Sequence, residues 1–243
     1  MSEKKVKIGY WDCRGLVNPI ILQLEYLKLP YDLETPDKKL IGPPPKFDKT
    51  KWLEQKGELL HGFDFPNLPY FEDPSKGLKL TQSNAILMHI ARTNGLFPKT
   101  EDFKILAQMD LLREEFKDVT SLITAFCYDP NVDEEKTKKF YLISRQKLEK
   151  LDSILKQNPS WFFLPGENLT YIDFLAYDII DHLRILFPQI LRDLPNLNNF
   201  LEKFENLEPM ADFMKSERYR KFPLWSERSF WGKSAENLPA FIS

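Results

Sequence analysis

The chain has only two cysteines, Cys13 and Cys127, in 243 residues. That scarcity excludes a disulfide-stapled secreted scaffold and leads us to expect a reducing, cytoplasmic compartment. Histidine is almost as sparse: His61, His89 and His182 have no metal-ligand spacing, so no metal site is predicted. Neither sign of charge dominates. With 34 Lys and Arg against 36 Asp and Glu, the net charge is -2 and the pI about 6.0, which leaves no basic field to attract nucleic acid. A long uncharged apolar run is also missing. The most apolar window, "LTYIDFLAYDIIDHLRILF", carries Asp173, Asp178, Asp181 and Arg184, which argues against a membrane span. The start, "MSEKKVKIGYW", lacks the apolar stretch of a secretory signal, and no repeat, low-complexity tract or lipidation motif follows it.

What is present is a core of ordinary size, 42% apolar, in a chain long enough for one large domain or two smaller ones. The first third alternates. "KVKIGYW" reads as a strand, and "NPIILQLEYLKL" as a helix with Asn18 as N-cap and Pro19 at its first position. "YDLET" is a second strand, followed by the proline-rich loop "LIGPPPKFD" and a short helix around Trp52. "LPYFED" and "LKLTQ" form a hairpin across "PSKG", and "SNAILMHIART" is a helix ending at Asn94-Gly95. After "GLFPKT" the strand signals stop. Thr100, Glu101 and Asp102 open a long helix to about Cys127, a second runs from about Asp133 to Lys156, and Thr170 with Asp173 forms a capping box before a third. "NLNNFLEKFENL" and "PMADFMKSERY" are shorter helices. The expected fold is thus α/β plus all-α, with a domain at 1-94, a linker at about 95-100 and a helical domain at 101-243.

The order β-α-β then β-β-α, with Pro69 opening the third strand, is a thioredoxin-like pattern. Leu68-Pro69 is the candidate for a cis bond, which would leave the N–H and C=O of Leu68 to an extended peptide ligand. Gln82 and Ser83 then stand at a helix N-terminus, a place suited to a carboxylate, although Ser83 reads equally as a plain cap. "YWDCRGL" holds one cysteine without a partner, so dithiol exchange is absent. A protein that binds a thiol peptide without its own redox pair can present that thiol to another substrate.

Taken together, "IGYWDCRGL", "KWLEQK", "DFPNLPY", "LTQSNAIL" with "IAR", "CYDP", "LTYIDFLAYDIID" and "FWGK" resemble a cytosolic glutathione transferase of the mu class, from about Lys7 to Lys233. The resemblance implies a transferase that joins the thiolate of reduced glutathione, a co-substrate, to small hydrophobic electrophiles, with no resident cofactor. It implies Tyr10 as catalytic tyrosine and Trp11 and Leu16 as walls of the glutathione site. Lys49 falls in the glutathione site, Trp52 and Lys56 at the glycine carboxylate, Asn67 and Leu68 at the peptide backbone, and Gln82 and Ser83 at the γ-glutamyl end. Asp118 would reach the ligand of the other subunit in a homodimer, and Phe65 would lock that dimer. Cys13, Tyr128 and Trp225 would line the hydrophobic substrate site.

The chemistry is coherent. A free thiol has a pKa of about 8.5, each unit of lowering needs about 1.4 kcal/mol of preferential stabilisation of the thiolate, and a phenol O–H aimed at sulfur provides it. By residue type alone, Tyr10 also reads as a core tyrosine at a strand end, Trp11 and Trp52 as packing residues, Lys56 as a surface charge, and Cys13 as a small apolar wall. The chain departs from the class pattern at Lys49, where arginine is common, at Cys13, where a branched aliphatic is usual, and at Trp225, where a smaller aromatic is expected. "GELLHGFDF" and "DPSKGLK" are each about two residues longer, and "SAENLPAFIS" extends past "FWGK". A ligand carrier on the same fold and a glutathione-dependent isomerase remain the competing readings.

Overall fold

Strand β1 (Val6–Gly9) sits at the centre of a four-stranded sheet of order β2-β1-β3-β4. It runs parallel to β2 (Tyr31–Glu34) and antiparallel to β3 (Tyr70–Asp73), which pairs antiparallel with β4 (Leu78–Thr81). This computed structural model describes residues 5–41, 48–158, 160–166 and 168–240. Most of the proline-rich loop "LIGPPPKFD" lies outside the described residues. Gly9 faces Tyr70 across the β1–β3 ladder, and a Cβ there would come 1.8 Å from the tyrosine ring, so the register needs glycine. Leu68-Pro69 is cis, immediately ahead of β3, and Phe222-Pro223 is a second cis bond with no expectation from sequence.

Helix α1 (Asn18–Tyr26) follows a 3-10 turn at Gly15–Val17. That turn already supplies helical backbone before Asn18, so Asn18 is not the cap its position suggests. Its side chain is buried and donates instead to Asp178 Oδ1 at 2.6 Å. Helix α2 (Thr50–Leu59) carries Trp52 inward, and α3 (Ser83–Thr93) ends at Asn94 and Gly95, the latter at φ 78. A further 3-10 turn spans Lys38–Ile41.

From α4 (Phe103–Tyr128) onward the described elements are helical: α5 (Glu134–Gln157), α6 (Tyr171–Leu186), a 3-10 turn at Pro188–Leu191, α7 (Pro195–Glu205) and α8 (Glu208–Lys215). The α4 cap is Asp102, which accepts from Lys104 N, while Thr100 Oγ1 receives the Asp102 N–H two residues earlier. Asp133 caps α5 in the same way. The Thr170 and Asp173 capping box forms: Asp173 Oδ2 accepts from Thr170 N at 2.8 Å and Oδ1 from Phe163 N at 2.9 Å. Burial pushes this carboxyl up to about 6, against the pull of those N–H groups. Such capping matters because α6 is buried along nearly its whole length, where an unmatched N–H is costly. Helix α6 packs against α1 from the sheet region and α4 from the helical region, so one core spans both. The segment after α8 turns back: Pro223 O and Leu224 O accept from the backbone N–H groups of Arg14 and Gly15. Among the described residues no helix is long and apolar enough to cross a membrane, and no cluster of His, Cys, Asp or Glu could hold a metal ion.

Candidate active site

Tyr10 follows the last residue of β1 and is buried, 7% exposed. Its hydroxyl accepts a hydrogen bond from Leu16 N at 3.0 Å, across the loop that starts at Trp11. Gly15, at φ +41, makes this approach possible, since a Cβ there would lie 2.6 Å from the Tyr10 hydroxyl. Among the described residues the phenolic proton has no acceptor. Burial raises the Tyr10 pKa, and Cys13, Tyr128 and Asp178 add to that while the Leu16 N–H works against it. The group is therefore a neutral O–H at ordinary pH, a donor rather than a base.

Next to Tyr10 in the chain, Trp11 enters a second apolar cluster, built around Trp52. Trp11 and Trp52 meet edge to face with ring centroids 5.1 Å apart, and Leu68 packs on the same small cluster with Leu60 and Tyr70. Lys49 sits at the start of α2 and is exposed, and Lys56 is partly buried in its last turn. Among the described residues neither has an ion-pair partner. Asn67 is exposed just before the cis bond. Gln82 takes φ 72, an unusual value for a residue other than glycine, at the N-cap of α3, and no side chain caps that helix. Ser83 is thus a first-turn residue and not a cap, and the first N–H groups of α3 have no side-chain cap. Thr81 Oγ1 donates to Phe65 O at 2.8 Å, which ties the loop carrying Asn67 and Leu68 to the end of β4, just before Gln82.

On the other side of Tyr10 stand Cys13, 3% exposed, and Tyr128, 37% exposed, at the end of α4. Burial raises the Tyr128 pKa, and its hydroxyl lies 2.8 Å from Ser226 Oγ. Trp225, 6% exposed, packs its ring 5.6 Å from that of His182. Asp118 and Phe65 stand apart from the rest: both are exposed, Phe65 by 74%, and among the described residues Asp118 has no hydrogen bond or ion pair.

Sequence reasoning missed the floor. Arg14, with a fully buried side chain, donates to Asp181 Oδ2 at 2.7 Å and Asp178 Oδ1 at 2.8 Å, both on α6. Asn18 joins at Asp178, His182 Nδ1 donates to Asp178 O at 2.6 Å, and Arg184 donates to Asp181. Burial works against the charge on Arg14, but Asp181 and Asp178 outweigh it and raise its pKa. The only signal in the sequence was the acid spacing in "YDIIDHLR", which puts Asp178 and Asp181 one helical turn apart.

Comparison with known proteins identifies the family. Residues 6–92 match the family model for the N-terminal domain of glutathione S-transferases, and residues 117–217 match that for the C-terminal domain. A glutathione S-transferase of Mesocricetus auratus is 42% identical, with 93% of this chain and 98% of that one covered. Glutathione S-transferase Mu 2 of Mus musculus is 41% identical (92% and 97% covered), and Mu 4 of Homo sapiens 41% (93% and 97%). The crystal structure of the glutathione S-transferase Blo t 8 superposes with a TM-score of 0.78 at 27% identity, covering 93% of this chain and 99% of that one. The chain belongs to the glutathione S-transferase family, and its relatives place it in the mu class.

Proposed function

We propose that the chain binds reduced glutathione along the cleft between α2 and α3 and joins its thiolate to hydrophobic electrophiles. The observation that carries this reading is the Tyr10 hydroxyl, which is fixed as an acceptor by Leu16 N–H and keeps its own proton unspent. A thiolate within reach of that proton receives a charge-assisted hydrogen bond, and its ionisation moves toward neutral pH. Tyr10 does not ionise in the process. The thiolate then forms the new sulfur–carbon bond, and the leaving group departs with its bonding pair.

The remaining residues divide the ligand by charge. Lys49 and Lys56, with Trp52 beside them, suit the glycine carboxylate, and the uncapped start of α3 at Gln82 and Ser83 suits the γ-glutamyl carboxylate. Asn67 and the backbone of Leu68 suit the peptide unit as an added strand. Trp11 and Leu16 close the sides, and Cys13, Tyr128 and Trp225 form the apolar electrophile wall. Glutathione enters as co-substrate.

The working unit is a homodimer in this reading. Phe65 is a large aromatic left 74% exposed, with its carbonyl held by Thr81, which fits an anchor for a pocket on a second copy. Asp118 would then complete the partner's site by meeting the γ-glutamyl amine. The test is retention of the full chain on immobilised glutathione, followed by turnover of 1-chloro-2,4-dinitrobenzene. Retention with turnover is expected; retention alone would replace the enzyme by a carrier, and loss of both would end the reading.

A further inference from the structure

The segment after α8 brings a cation to the mouth of the site, and the conjugation chemistry makes no use of it. Arg220 reaches back to the site loop, where its Nη2 lies 2.5 Å from Asp12 Oδ1. Asp12 adjoins Cys13, whose thiol is felt electrostatically by both the Tyr10 and the Tyr128 hydroxyls. Arg220 acts on that same thiol: burial pushes Cys13 up to about 12, and the Arg220 charge pulls against it. A second arginine of the segment, Arg228, pulls on Tyr128 in the same sense, and its backbone N–H donates to Ser226 Oγ, the atom that also meets Tyr128. Positive charge therefore stands beside the wall against which an electrophile would rest, and the Asp12 carboxylate is the acid paired with it.

The arginines of this region are used differently. Arg14 engages a carboxylate through each terminal nitrogen and is sealed from water. Arg218 engages Glu25 through both terminal nitrogens. Arg220 spends one nitrogen on Asp12, its side chain is 34% exposed, and among the described residues its other donors have no partner. A guanidinium carries five N–H donors in a planar fork. This one meets Asp12 at one side and is open at the other, so a second carboxylate can share the fork with Asp12 or displace it. Bracing is a weak explanation for the pair. Exposed ion pairs contribute little to stability, and the Arg14 network and the backbone bonds at Pro223 and Leu224 already tie these segments together.

We infer that Arg220 is a specificity-determining residue of the electrophile site, selecting electrophiles that carry a carboxylate away from the reacting carbon. The inference rests on the conjugation reading above. Arg220 takes no part in bond changes: in an aryl chloride the sulfur–carbon bond forms and chloride leaves with its electron pair, while the carboxylate stays on the guanidinium. Asp12 competes for the same donors, so its removal and the removal of Arg220 act in opposite directions.

The test uses the purified full chain with glutathione and two probes, neutral 1-chloro-2,4-dinitrobenzene and anionic 4-chloro-3-nitrobenzoate. Arg220→Gln is expected to raise KM for the benzoate about tenfold, the loss of one charged hydrogen bond, and to leave KM for the neutral probe within about twofold. Asp12→Asn is expected to lower KM for the benzoate severalfold. Arg220→Lys should fall between wild type and Arg220→Gln, since charge is kept and the fork is lost. Raising the salt from about 0.05 M to about 0.5 M should erode the benzoate preference of the wild type and not of Arg220→Gln. Equal effects of Arg220→Gln on both probes, or movement of Asp12→Asn and Arg220→Gln in the same direction, would make the pair a brace and overturn the inference. Failure of the wild type to turn over even the neutral probe would instead overturn the conjugation reading.

Discussion

The ground beneath Tyr10 and the cleft beside it are built on opposite plans. Beneath, Arg14, Asn18, Asp178, Asp181 and His182 are buried, and the carboxylates of Asp178 and Asp181 are matched by donors. Beside it, Lys49, Asn67 and Gln82 are exposed and the start of α3 has no side-chain cap. A buried ion network is an inefficient way to gain stability, because desolvation consumes most of its attraction. Its value here is placement. It bolts the Tyr10–Leu16 loop to α6, so the phenol is held in position, and in the proposed reading the exposed groups beside it are left for the ligand to complete.

The sharpest way to break this contrast is Arg14→Met. Removing the guanidinium takes from Asp178 and Asp181 their shared buried countercharge and leaves them only Asn18 and Arg184, a loss of about 3–5 kcal/mol. The melting temperature is expected to drop on the order of 10 °C. Calorimetry with and without glutathione checks it. A variant that melts like the wild type would mean that α6 holds the loop by packing alone.

Tyr10→Phe, where floor meets cleft, should separate chemistry from stability. One preorganised donor is lost, worth about 2–4 kcal/mol of transition-state stabilisation by analogy with oxyanion donors. The rate should fall about 30- to 1,000-fold while glutathione affinity and the melting temperature change little. The thiolate absorbance of bound glutathione, followed against pH, reports the cause directly. A titration midpoint shared by wild type and variant would remove Tyr10 from the mechanism.

The same contrast explains what could be read from the sequence. The cleft is made of local signals. Pro69 at the head of a strand and Gln82-Ser83 at the head of a helix announce their geometry within a few residues, as Thr170 with Asp173 does for the start of α6. The fold followed from such signals, and so did the position of Tyr10 at a strand end. The floor has no local signature. Arg14 meets Asp181 across 167 residues and Tyr128 meets Ser226 across 98. Asn18 shows the conflict most clearly: its local setting favours a cap, and a buried carboxylate 160 positions away takes its amide instead. The mu-class resemblance supplied the roles given to Lys49, Lys56 and Asp118, which residue type alone leaves as surface charges.

Lys56→Gln tests the cleft in isolation. A partly buried ammonium without a partner among the described residues is removed, so the fold loses nothing measurable, while a charged hydrogen bond to the ligand is worth about 2 kcal/mol. Glutathione should bind about 10–30-fold more weakly at an unchanged melting temperature. Isothermal titration checks both the affinity and its salt dependence, and a stability loss without an affinity loss would return Lys56 to the structural side of the comparison.

The smallest effect expected is in acid, and it asks whether buried carboxylates outside the floor matter at all. Asp73, 3% exposed at the end of β3, accepts from Ser75 N at 2.9 Å and from Lys76 Nζ at 2.6 Å. Burial raises its pKa, but the bonds from Lys76 and Ser75 win and hold it down at about 2, below an ordinary value of 3.8. A depressed carboxylate stabilises the fold fully above its unfolded pKa, and that contribution is lost as pH falls through the folded one. The window is therefore about pH 4 to pH 2, with a ceiling of about 2 kcal/mol at about 1.4 kcal/mol per unit. Asp181 is also depressed, because Arg14 and Arg184 outweigh its burial, so floor and hairpin both lose stability in acid. Asp73→Asn distinguishes them. At pH 7 the variant should be less stable than wild type by about 1–2 kcal/mol, and the difference should shrink toward zero as the pH approaches 2. Denaturant titrations across that range would read it. Parallel wild-type and variant curves would assign the acid lability to the floor and leave Asp73 as a turn residue with no electrostatic share.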